Sequence, residues 1–378
     1  MAARSPFTPT FGASPPILAG REELIEEFAE ALEDGPGAPG RATIYSGARG
    51  TGKTVLLNAV EAEARSDGWL VVSETATPGF ISRLSDDHLP RMLADHDPKA
   101  VRRHLTGFGL PANLGGLDWA RVERHARTLS FRSKVELLTD LLKETESGLL
   151  ITLDELHHQP VAELREFGTV AQHMIREQRE FAFAAASLPA AIDEVLADEL
   201  MTFLRRADRH HLGSVDPAAV RQALEQPIVN AGRTITEDAL EAMVAATSGY
   251  PFMIQLVGDR VWRAAGDSPM ITLEHADAGI DAAKRRLGQL VHAPALADAS
   301  AVAKSFLLAM AQDDGPSTLA DIGRRLGANS NYTSQYRLRL LALELIKPTG
   351  HGRVEFALPY LRDYLREHAA TLGLPNNP

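Results

Sequence analysis

The sequence predicts an α/β protein with a parallel sheet, followed by a helical domain and a C-terminal module that adds a β-hairpin to helices. Short apolar segments of strand length alternate with amphipathic helical segments from residue 20 to residue 213. This alternation is typical of a parallel sheet with helices on its faces. From Val215 to about residue 295 the pattern is nearly all helical, and the segment after residue 300 mixes helices with a short β-like stretch.

Composition limits the function classes. A chain of 378 residues is too long for one typical core and predicts two or three domains. The net charge of -11 argues against coating nucleic acid by bulk electrostatics, so any such contact must use a local basic face. The absence of cysteine excludes disulfides, thiolate zinc sites and cysteine nucleophiles. No run of about 18 apolar residues occurs and the N-terminus lacks a signal-peptide core, so we expect a cytoplasmic protein without a membrane partner.

We predict four segments along the chain. They are an extended or disordered N-terminal segment (1–16), an α/β core (17–213), a helical lid (214–295) and a C-terminal module (300–378). Residues 292–301 are the best linker candidate.

The predicted elements of the core follow one another in regular order. They are a helix over 20–35, a strand over 41–47, a helix over 54–68, a strand over 69–74, a helix over 130–148, a strand over 149–156, a helix over 160–179 and a strand over 181–189. Residues 80–129 are polar and interrupted by prolines, and they carry no clear pattern.

A glycine-rich segment between the first strand and the next helix matches GxxxxGK[ST] at every fixed position. Its glycines let backbone N–H groups turn inward around phosphate oxygens, and the helix that follows adds its positive N-terminal end. Lys53 would bridge the β- and γ-phosphates, and the Thr54 hydroxyl would bind Mg²⁺. The alternative, a glycine turn without a ligand, fits the strand–loop–helix setting less well. The predicted phosphate-binding residues are Gly47, Gly50, Thr51, Gly52, Lys53, Thr54 and Val55.

Two carboxylates follow the apolar strand over residues 149–156. Asp154 and Glu155 emerge at the strand's C-terminal end, where parallel sheets bind ligands. Asp154 would hold the metal through water, and Glu155 would act as general base on the attacking water. A solvated strand end is the alternative reading of this pair, and the intact phosphate loop favours the functional one.

Ser187 ends the strand over residues 181–189. In phosphate-loop ATPases with a strand inserted between the two motifs, a polar residue at this point often senses the γ-phosphate. The alternative is that Ser187 only starts the turn at Leu188 and Pro189.

With these motifs the chain resembles the AAA+ superfamily and the related STAND ATPases, and most of all the origin-recognition-type initiators. The resemblance covers residues 17–290 and rests on ILAGREELIEEF, GARGTGKT, LLITLDEL and FAFAAASLP. It implies a P-loop NTPase sheet with a helical lid, and ATP or ADP with Mg²⁺ as cofactors. The ILAGRE segment resembles the one that lies over adenine, so Ile17, Leu18 and Gly20 become adenine-pocket candidates. The two apolar side chains would otherwise be ordinary core residues.

The arginine finger that AAA+ enzymes direct at a neighbour's γ-phosphate has two candidates, Arg205 and Arg206. They precede a short apparent strand. A basic helix C-terminus, favoured by the helix dipole, explains these arginines equally well.

The lid departs from the pattern of the initiators. They usually carry a GDxR-like element with a sensing arginine, whereas this chain has Gly249, Tyr250, Pro251 and Phe252, the GxP form of STAND switches. The break would place a helix N-terminus and the Pro251 ring against the nucleotide. A helix corner that only shapes the lid is the alternative. Without the arginine we expect slow hydrolysis and a switch rather than a motor.

The C-terminal module has the pattern of a winged helix-turn-helix, with a recognition helix over 331–346 and a wing returning at 353–356. Nine basic and seven acidic residues between 300 and 368 leave it mildly positive. Side chains spaced four residues apart along the helix would face base edges or phosphates, and others would touch the backbone. The first set is Asn331, Gln335 and Arg339; the second is Tyr332, Ser334, Arg337 and Arg353.

Two functions fit these predictions. The first is an ATP-binding switch and slow ATP hydrolase that positions its winged helix on duplex DNA. The second is a signalling or defence STAND-type ATPase whose winged helix binds a protein or the chain's own ATPase module. A motor-like AAA+ ring is disfavoured by the missing lid arginine. A homo-oligomer or a protein partner fits each of these.

Overall fold

A computed structural model describes residues 4–10, 12–96, 129–156, 161–189, 192, 204–297 and 299–370. The chain divides into two compact units. The sheet unit comprises Arg21–Gly47 and Lys53–Leu212, and the helical unit comprises Met1–Gly20, Ala48–Gly52 and Gly213–Pro378.

The sheet unit alternates strands and helices as the sequence predicts. Its elements are α1 (Glu22–Glu33), β1 (Ala42–Gly47), α2 (Lys53–Ser66), β2 (Leu70–Thr75), α3 (Phe80–Arg83), α4 (Leu89–His96), α5 (Phe131–Lys143), β3 (Leu149–Asp154), α6 (Val161–Arg176), β4 (Phe181–Ser187) and β5 (Asp208–Leu212). Short 3₁₀ turns precede β1 (Pro39–Arg41) and β5 (Leu204–Arg206), and a π turn (Leu84–His88) links α3 to α4.

All five strands are parallel, in the order β2-β3-β4-β1-β5. Strand β1 therefore pairs with β4 and β5 and not with β2, so that β3, β4 and β1 lie inside the sheet. Ser46 is in register with Ser187, and Leu153 with Ala185. The C-terminal ends of β1, β4 and β3 thus lie side by side, and these are the strands that carry the predicted motifs. The architecture is the α/β P-loop NTPase fold that the sequence predicts.

The central strands are buried because their sequences are continuously apolar. Every residue of β4 is buried, and only the last residue of β3 is partly exposed. Such strands need helices on both faces of the sheet. One apolar core built from β1, β3, β4 and the surrounding helices fills this unit, and the rings of Phe167 and Phe183 pack at a tilt with their centres 5.0 Å apart.

The helical unit contains nine helices and five short strands within its described residues. They are α7 (Pro217–Asn230), β6 (Thr234–Ile235), α8 (Glu237–Thr247), α9 (Pro251–Ala264), β7 (Met270–Ile271), α10 (Leu273–Leu287), α11 (Ala293–Ala297), α12 (Ala301–Met310), β8 (Ser317–Thr318), α13 (Leu319–Leu326), α14 (Ser330–Ala342), β9 (Ile346–Gly350), β10 (Arg353–Phe356) and α15 (Leu361–His368). No helix in the described part of the chain is both long and apolar enough to span a bilayer.

A single apolar core runs through this unit from the lid helices to the C-terminal module. Buried Met253 of α9 and buried Leu340 of α14 belong to the same cluster. The predicted linker over residues 292–301 lies within it: a π turn (Gly288–His292) leads directly into α11, and Leu296 is buried. The buried apolar members of this segment, Leu296 and Ala299, therefore pack on the core of the unit.

The N-terminal segment is packed as well. Its described residues form no helix or strand, and Phe7 is only 4% exposed. The Phe7 ring packs directly on Gly258, because a β-carbon added to this glycine would lie only 2.5 Å from the ring. The Thr8 N–H donates a 3.1 Å hydrogen bond to Gln255 Oε1. Residues 1–3 and 11 of the predicted segment fall outside the described chain. The sequence did not predict this docking on α9.

The C-terminal module consists of α12, α13 and α14 with an antiparallel sheet of order β8-β10-β9. Asn329 caps α14 by accepting a 2.9 Å hydrogen bond from the Tyr332 N–H. Thr318 caps α13 in the same way through the Asp321 N–H at 3.1 Å. These caps fix the turn between the two helices, since each satisfies an otherwise unpaired N–H.

Candidate functional site

The phosphate loop (residues 47–54) runs from the end of β1 into the first turn of α2. Gly50 and Gly52 have φ angles of 77° and 87°, a left-handed conformation that glycine adopts without strain. Thr51 closes the turn, because its N–H and its hydroxyl both bond to the Ala48 carbonyl oxygen, at 3.2 and 2.8 Å. The loop therefore has the tight glycine turn that a phosphate cradle requires.

Lys53 opens α2, whose N-terminal end is electropositive. Its ammonium donates a 2.6 Å hydrogen bond to the carbonyl oxygen of Gly47, across the base of the loop. The positive charge is thus held at the loop, and Val55 follows half-buried in the same turn. This is the position in which a lysine can contact phosphate.

Thr54 and Asp154 come together although 100 residues separate them. The Thr54 hydroxyl donates a 2.6 Å hydrogen bond to Asp154 Oδ2. Asp154 is the last residue of β3, so the sheet topology places it beside the loop's helix. The hydroxyl and the carboxylate are hard oxygen ligands of the kind that Mg²⁺ prefers.

Within the described residues, no group of three or more His, Asp or Glu side chains could hold a metal ion. Magnesium does not need one, because it commonly takes one or two protein oxygens and completes its shell with phosphate and water. The Thr54 and Asp154 pair fits a magnesium ion that arrives with a nucleotide.

Glu155 follows in a left-handed conformation with φ 54°. Its N–H donates a 2.8 Å hydrogen bond to Asp154 Oδ1, and the Leu156 N–H bonds to the Ala186 carbonyl oxygen at 3.0 Å. These bonds turn the chain sharply at the end of β3 and leave the Glu155 side chain exposed. Its role as general base stays a prediction.

Ser187 lies at the end of β4, in register with Ser46 of β1. It is fully buried, and its hydroxyl donates a 3.3 Å hydrogen bond to the Leu188 carbonyl oxygen. A γ-phosphate sensor at Ser187 stays a prediction, and it requires the hydroxyl to rotate away from this local bond.

Arg205 and Arg206 end the 3₁₀ turn that precedes β5, and both are exposed. A trans-acting finger has to lie at the surface, and both arginines do. Their role also stays a prediction.

Gly20, one of the adenine candidates, lies against the start of α7. An added β-carbon on Gly20, which has φ 64°, would meet Val215 at 3.3 Å and Ala219 at 3.5 Å. Ile17 packs half-buried on the apolar core of the helical unit, and Leu18 is half-buried. The assignment of these three residues to an adenine pocket stays a prediction.

The break between α8 and α9 is sharp. Ser248 and Gly249 have φ angles of 50° and 66°, and Pro251 is the first residue of α9. An added β-carbon on Gly249 would lie 2.5 Å from the carbonyl oxygen of Val215, so only glycine fits. Pro251 faces the phosphate loop, since its β-carbon is 3.9 Å from the position a β-carbon would take on Gly52.

Tyr250 was missed by the sequence predictions, which selected Pro251 beside it. Its ring is 7% exposed, and its hydroxyl donates a 2.8 Å hydrogen bond to the carbonyl oxygen of Arg49. An added β-carbon on Gly50 would lie 1.9 Å from the Tyr250 hydroxyl oxygen. Burial, with a smaller contribution from the Glu344 carboxylate, raises the pKa of Tyr250, so the hydroxyl stays a donor. A large aromatic residue between a flexible glycine and a proline is the signal that could have identified it.

Glu344 was also missed. It follows the end of α14, is 6% exposed, and accepts a 2.9 Å hydrogen bond from the Arg49 N–H. Two side chains from later in the chain therefore hold the two peptide groups of Arg49. Nothing local in the sequence marks Glu344, because the contact spans 295 residues.

The predicted base-reading residues share an exposed face of α14. Asn331, Gln335 and Arg339 are exposed, whereas Leu340 is buried in the core. The Arg339 guanidinium lies 5.0 Å from the centre of the Tyr336 ring, which keeps its charge at the surface of the helix.

The predicted backbone-contacting residues are less uniform. Ser334 and Arg353 are exposed, Arg337 is half-buried, and Tyr332 is 40% exposed with its ring 4.8 Å from that of Tyr336. The exposed members suit a phosphate backbone, and DNA contact by this set stays a prediction.

Comparisons with known proteins agree with this geometry. The chain matches the model of the AAA ATPase domain over residues 17–179 and that of a domain of unknown function (DUF8462) over residues 289–365. It is similar in structure to the Walker-type ATPase PABY2304 of Pyrococcus abyssi, with 16% identity and a TM-score of 0.62 over 92% of this chain and 96% of that one. It is also similar to the ORC2 protein of Aeropyrum pernix in its ADPNP–ADP complexes, with 13% identity and a TM-score of 0.58 over 99% of this chain and 100% of that one. A search of the curated proteins found no match.

At these identities the structural similarity establishes the fold alone. Together with the matched ATPase domain and the loop geometry, it supports an AAA+ P-loop ATPase.

Proposed function

We propose that the chain binds ATP with Mg²⁺ at the phosphate loop and hydrolyses it slowly, and that the bound nucleotide controls a DNA-binding C-terminal winged helix. The observation that carries the nucleotide site is the 2.6 Å hydrogen bond from Thr54 to Asp154. It joins the two motifs that bind phosphate-bound magnesium in this fold, and it does so at the end of the sheet where ligands bind.

Slow hydrolysis follows from the composition of the lid. Tyr250 and Pro251 reach the loop from the break at residues 249–252, and these four residues include no arginine. Positive charge at the phosphates stabilises the transition state of phosphoryl transfer. A lid without it favours long occupancy by the nucleotide, which suits a switch.

Lys53→Ala tests the nucleotide site. This variant removes the charge beside the loop, so filter binding of radiolabelled ATP should fall by at least about tenfold, the scale of one charged hydrogen bond. Lys143→Ala, which removes a lysine from the end of α5 in the same unit, is the matched control and should bind ATP normally. Unchanged affinity in Lys53→Ala would refute the site.

The DNA function rests on the exposed stripe of α14. Arg339→Ala and Gln335→Ala should each weaken binding to duplex DNA, and the arginine change should also reduce its dependence on salt concentration. Arg285→Ala, which removes an exposed arginine from α10, is the control. If all three variants bind DNA in gel shifts as tightly as the wild type does, the DNA role is wrong.

A second function is favoured by the contact of Glu344 with Arg49. In this alternative the winged helix acts on the chain's own ATPase loop, as in a STAND-type signalling switch, and DNA is not its ligand. Size-exclusion chromatography with and without ATP and duplex DNA separates the two. A shift with DNA supports the first function, and a change of oligomer with ATP alone supports the second.

A further inference from the structure

Both peptide groups of Arg49 in the phosphate loop are occupied by side chains from outside the loop. Its N–H donates to Glu344 Oε2 at 2.9 Å, and its carbonyl oxygen accepts from the Tyr250 hydroxyl at 2.8 Å. Glu344 is only 6% exposed, so its carboxylate has been taken out of water to reach this position. Removing a carboxylate from water is costly unless hydrogen bonds compensate for the lost hydration.

The structure around Glu344 disfavours a carboxylate there for two local reasons. Glu344 has φ 55°, a conformation that suits glycine better than glutamate. It also follows the C-terminal end of α14, where the helix dipole is negative and repels an anion. The 2.9 Å hydrogen bond from the Arg49 N–H offsets part of these costs, and it ties the carboxylate to the phosphate loop.

The backbone N–H groups of a phosphate loop are donors for oxygen anions. A carboxylate is such an anion, and so is a nucleotide phosphate. When a nucleotide brings several negative charges to the same loop, a nearby buried carboxylate is strongly repelled. The two anions cannot both occupy the loop at low cost.

We infer that Glu344 is an internal competitor of the nucleotide phosphates, so that ATP binding displaces Glu344 and releases the C-terminal end of α14. The inference rests on the proposed nucleotide site and names its regulation. Because α14 also carries exposed Asn331, Gln335 and Arg339, a displacement at its end moves the face proposed to read DNA. The ligand has different contacts in the two states, as any coupling of this kind requires.

Three variants test the inference. Glu344→Gln removes the charge and keeps the shape, and Glu344→Gly removes the carboxylate at a position whose φ suits glycine, so it should fold at least as well as the wild type. Glu367→Gln, an exposed glutamate in α15, is the matched control. Binding of Mg²⁺-ATP and Mg²⁺-ADP is measured by filter binding, with Lys53→Ala as the test of the site itself.

Glu344→Gly should bind ATP about tenfold more tightly than the wild type, the scale of one charge-assisted hydrogen bond. Glu344→Gln should bind it more tightly by a smaller factor, because a neutral amide oxygen still accepts the hydrogen bond. Glu367→Gln should match the wild type. The gain should be larger for ATP than for ADP, since ATP carries the additional charge.

Hydrogen exchange supplies an independent readout. In the wild type, ATP should speed the exchange of amides over residues 341–345, and in Glu344→Gly these amides should exchange rapidly with or without ATP. Equal rates with and without ATP in the wild type would overturn the release of α14.

The failure of this inference differs from the failure of the proposed function. If Lys53→Ala loses ATP while neither Glu344 variant binds it more tightly than the wild type, the competitor role is wrong and the nucleotide site stands. If neither the wild type nor the Glu344 variants bind ATP, the site itself is wrong and the inference falls with it.

Discussion

The hydroxyl of Tyr250 donates a 2.8 Å hydrogen bond to the carbonyl oxygen of Arg49, and the same ring covers Gly50 so closely that a β-carbon there would be 1.9 Å from the hydroxyl oxygen. Gly50 therefore has two reasons to be glycine. One is its φ of 77°, which the phosphate turn demands. The other is the Tyr250 ring, which the break between α8 and α9 places against the loop.

Gly50→Ala should lower both the stability of the chain and its affinity for ATP. The added methyl strains a left-handed backbone by about 1 kcal/mol and also strikes the Tyr250 hydroxyl. Tyr250→Ala removes that obstacle, so the double variant should lose less stability than the two single losses added together, by about 0.5–3 kcal/mol. Urea unfolding of the four proteins measures this coupling. Strict additivity would show that Tyr250 does not pack on Gly50 in solution.

Thr54→Val should remove most of the benefit that Mg²⁺ gives to ATP binding, while Thr54→Ser should keep it. Valine has the shape of threonine but no oxygen ligand, and it also ends the 2.6 Å hydrogen bond to Asp154. We expect the ratio of ATP affinities in Mg²⁺ and in EDTA to fall about tenfold in the valine variant, as for a lost ligand or charged hydrogen bond. A ratio that is unchanged in Thr54→Val would show that magnesium is held elsewhere.

The sequence predicts those parts of the candidate site that depend on local patterns. The glycine turn, Lys53 and Thr54 lie within one short segment, and Asp154 ends a strand that is recognisable by its apolar run. Parallel strands of one sheet bring their C-terminal ends to one edge, so the closeness of Thr54 and Asp154 followed from fold class alone.

The contacts that the sequence did not reveal are those between distant segments. Tyr250 reaches Arg49 across 201 residues and Glu344 reaches it across 295. Neither side chain belongs to a motif, and each depends on how the helices of one unit pack together. The docking of Phe7 on Gly258 was unpredictable for the same reason.

Gly249→Ala should destabilise the helical unit more than Gly266→Ala does. Both glycines have positive φ, at 66° and 55°, so the backbone strain of an added methyl is similar. Only at Gly249 would the new β-carbon meet a backbone atom, the Val215 carbonyl oxygen at 2.5 Å, whereas nothing lies within 4 Å at Gly266. Backbone atoms cannot move aside as a flexible side chain does. We therefore expect Gly249→Ala to lose about 1–3 kcal/mol more free energy of unfolding than Gly266→Ala. Equal losses by thermal unfolding would mean that the close approach of residues 215 and 249 is not maintained in solution.

Acid should destabilise the helical unit through His292, which is 1% exposed and donates from Nε2 to the Pro359 carbonyl oxygen at 2.9 Å. Burial lowers the pKa of His292 from 6.5 to about 4, although the Pro359 carbonyl and the Asp363 carboxylate oppose this shift. Its Nδ1 atom is buried and has no hydrogen-bond partner among the described residues. Between pH 6.5 and about 4 the unfolded chain therefore binds a proton that the folded chain does not bind, and stability falls as the pH falls through this window.

His292→Gln separates this effect from general acid unfolding. The glutamine amide can still donate to the Pro359 carbonyl oxygen, but it does not titrate. The variant should therefore lose less stability than the wild type when the pH falls from neutral to about 4.5. Urea midpoints at three pH values for the two proteins measure the difference. His275→Gln is the control, because that histidine lies at the start of α10 and its side chain is only partly buried. If His292→Gln and the wild type show the same dependence on pH, His292 is not the group that couples protonation to the folding of this unit.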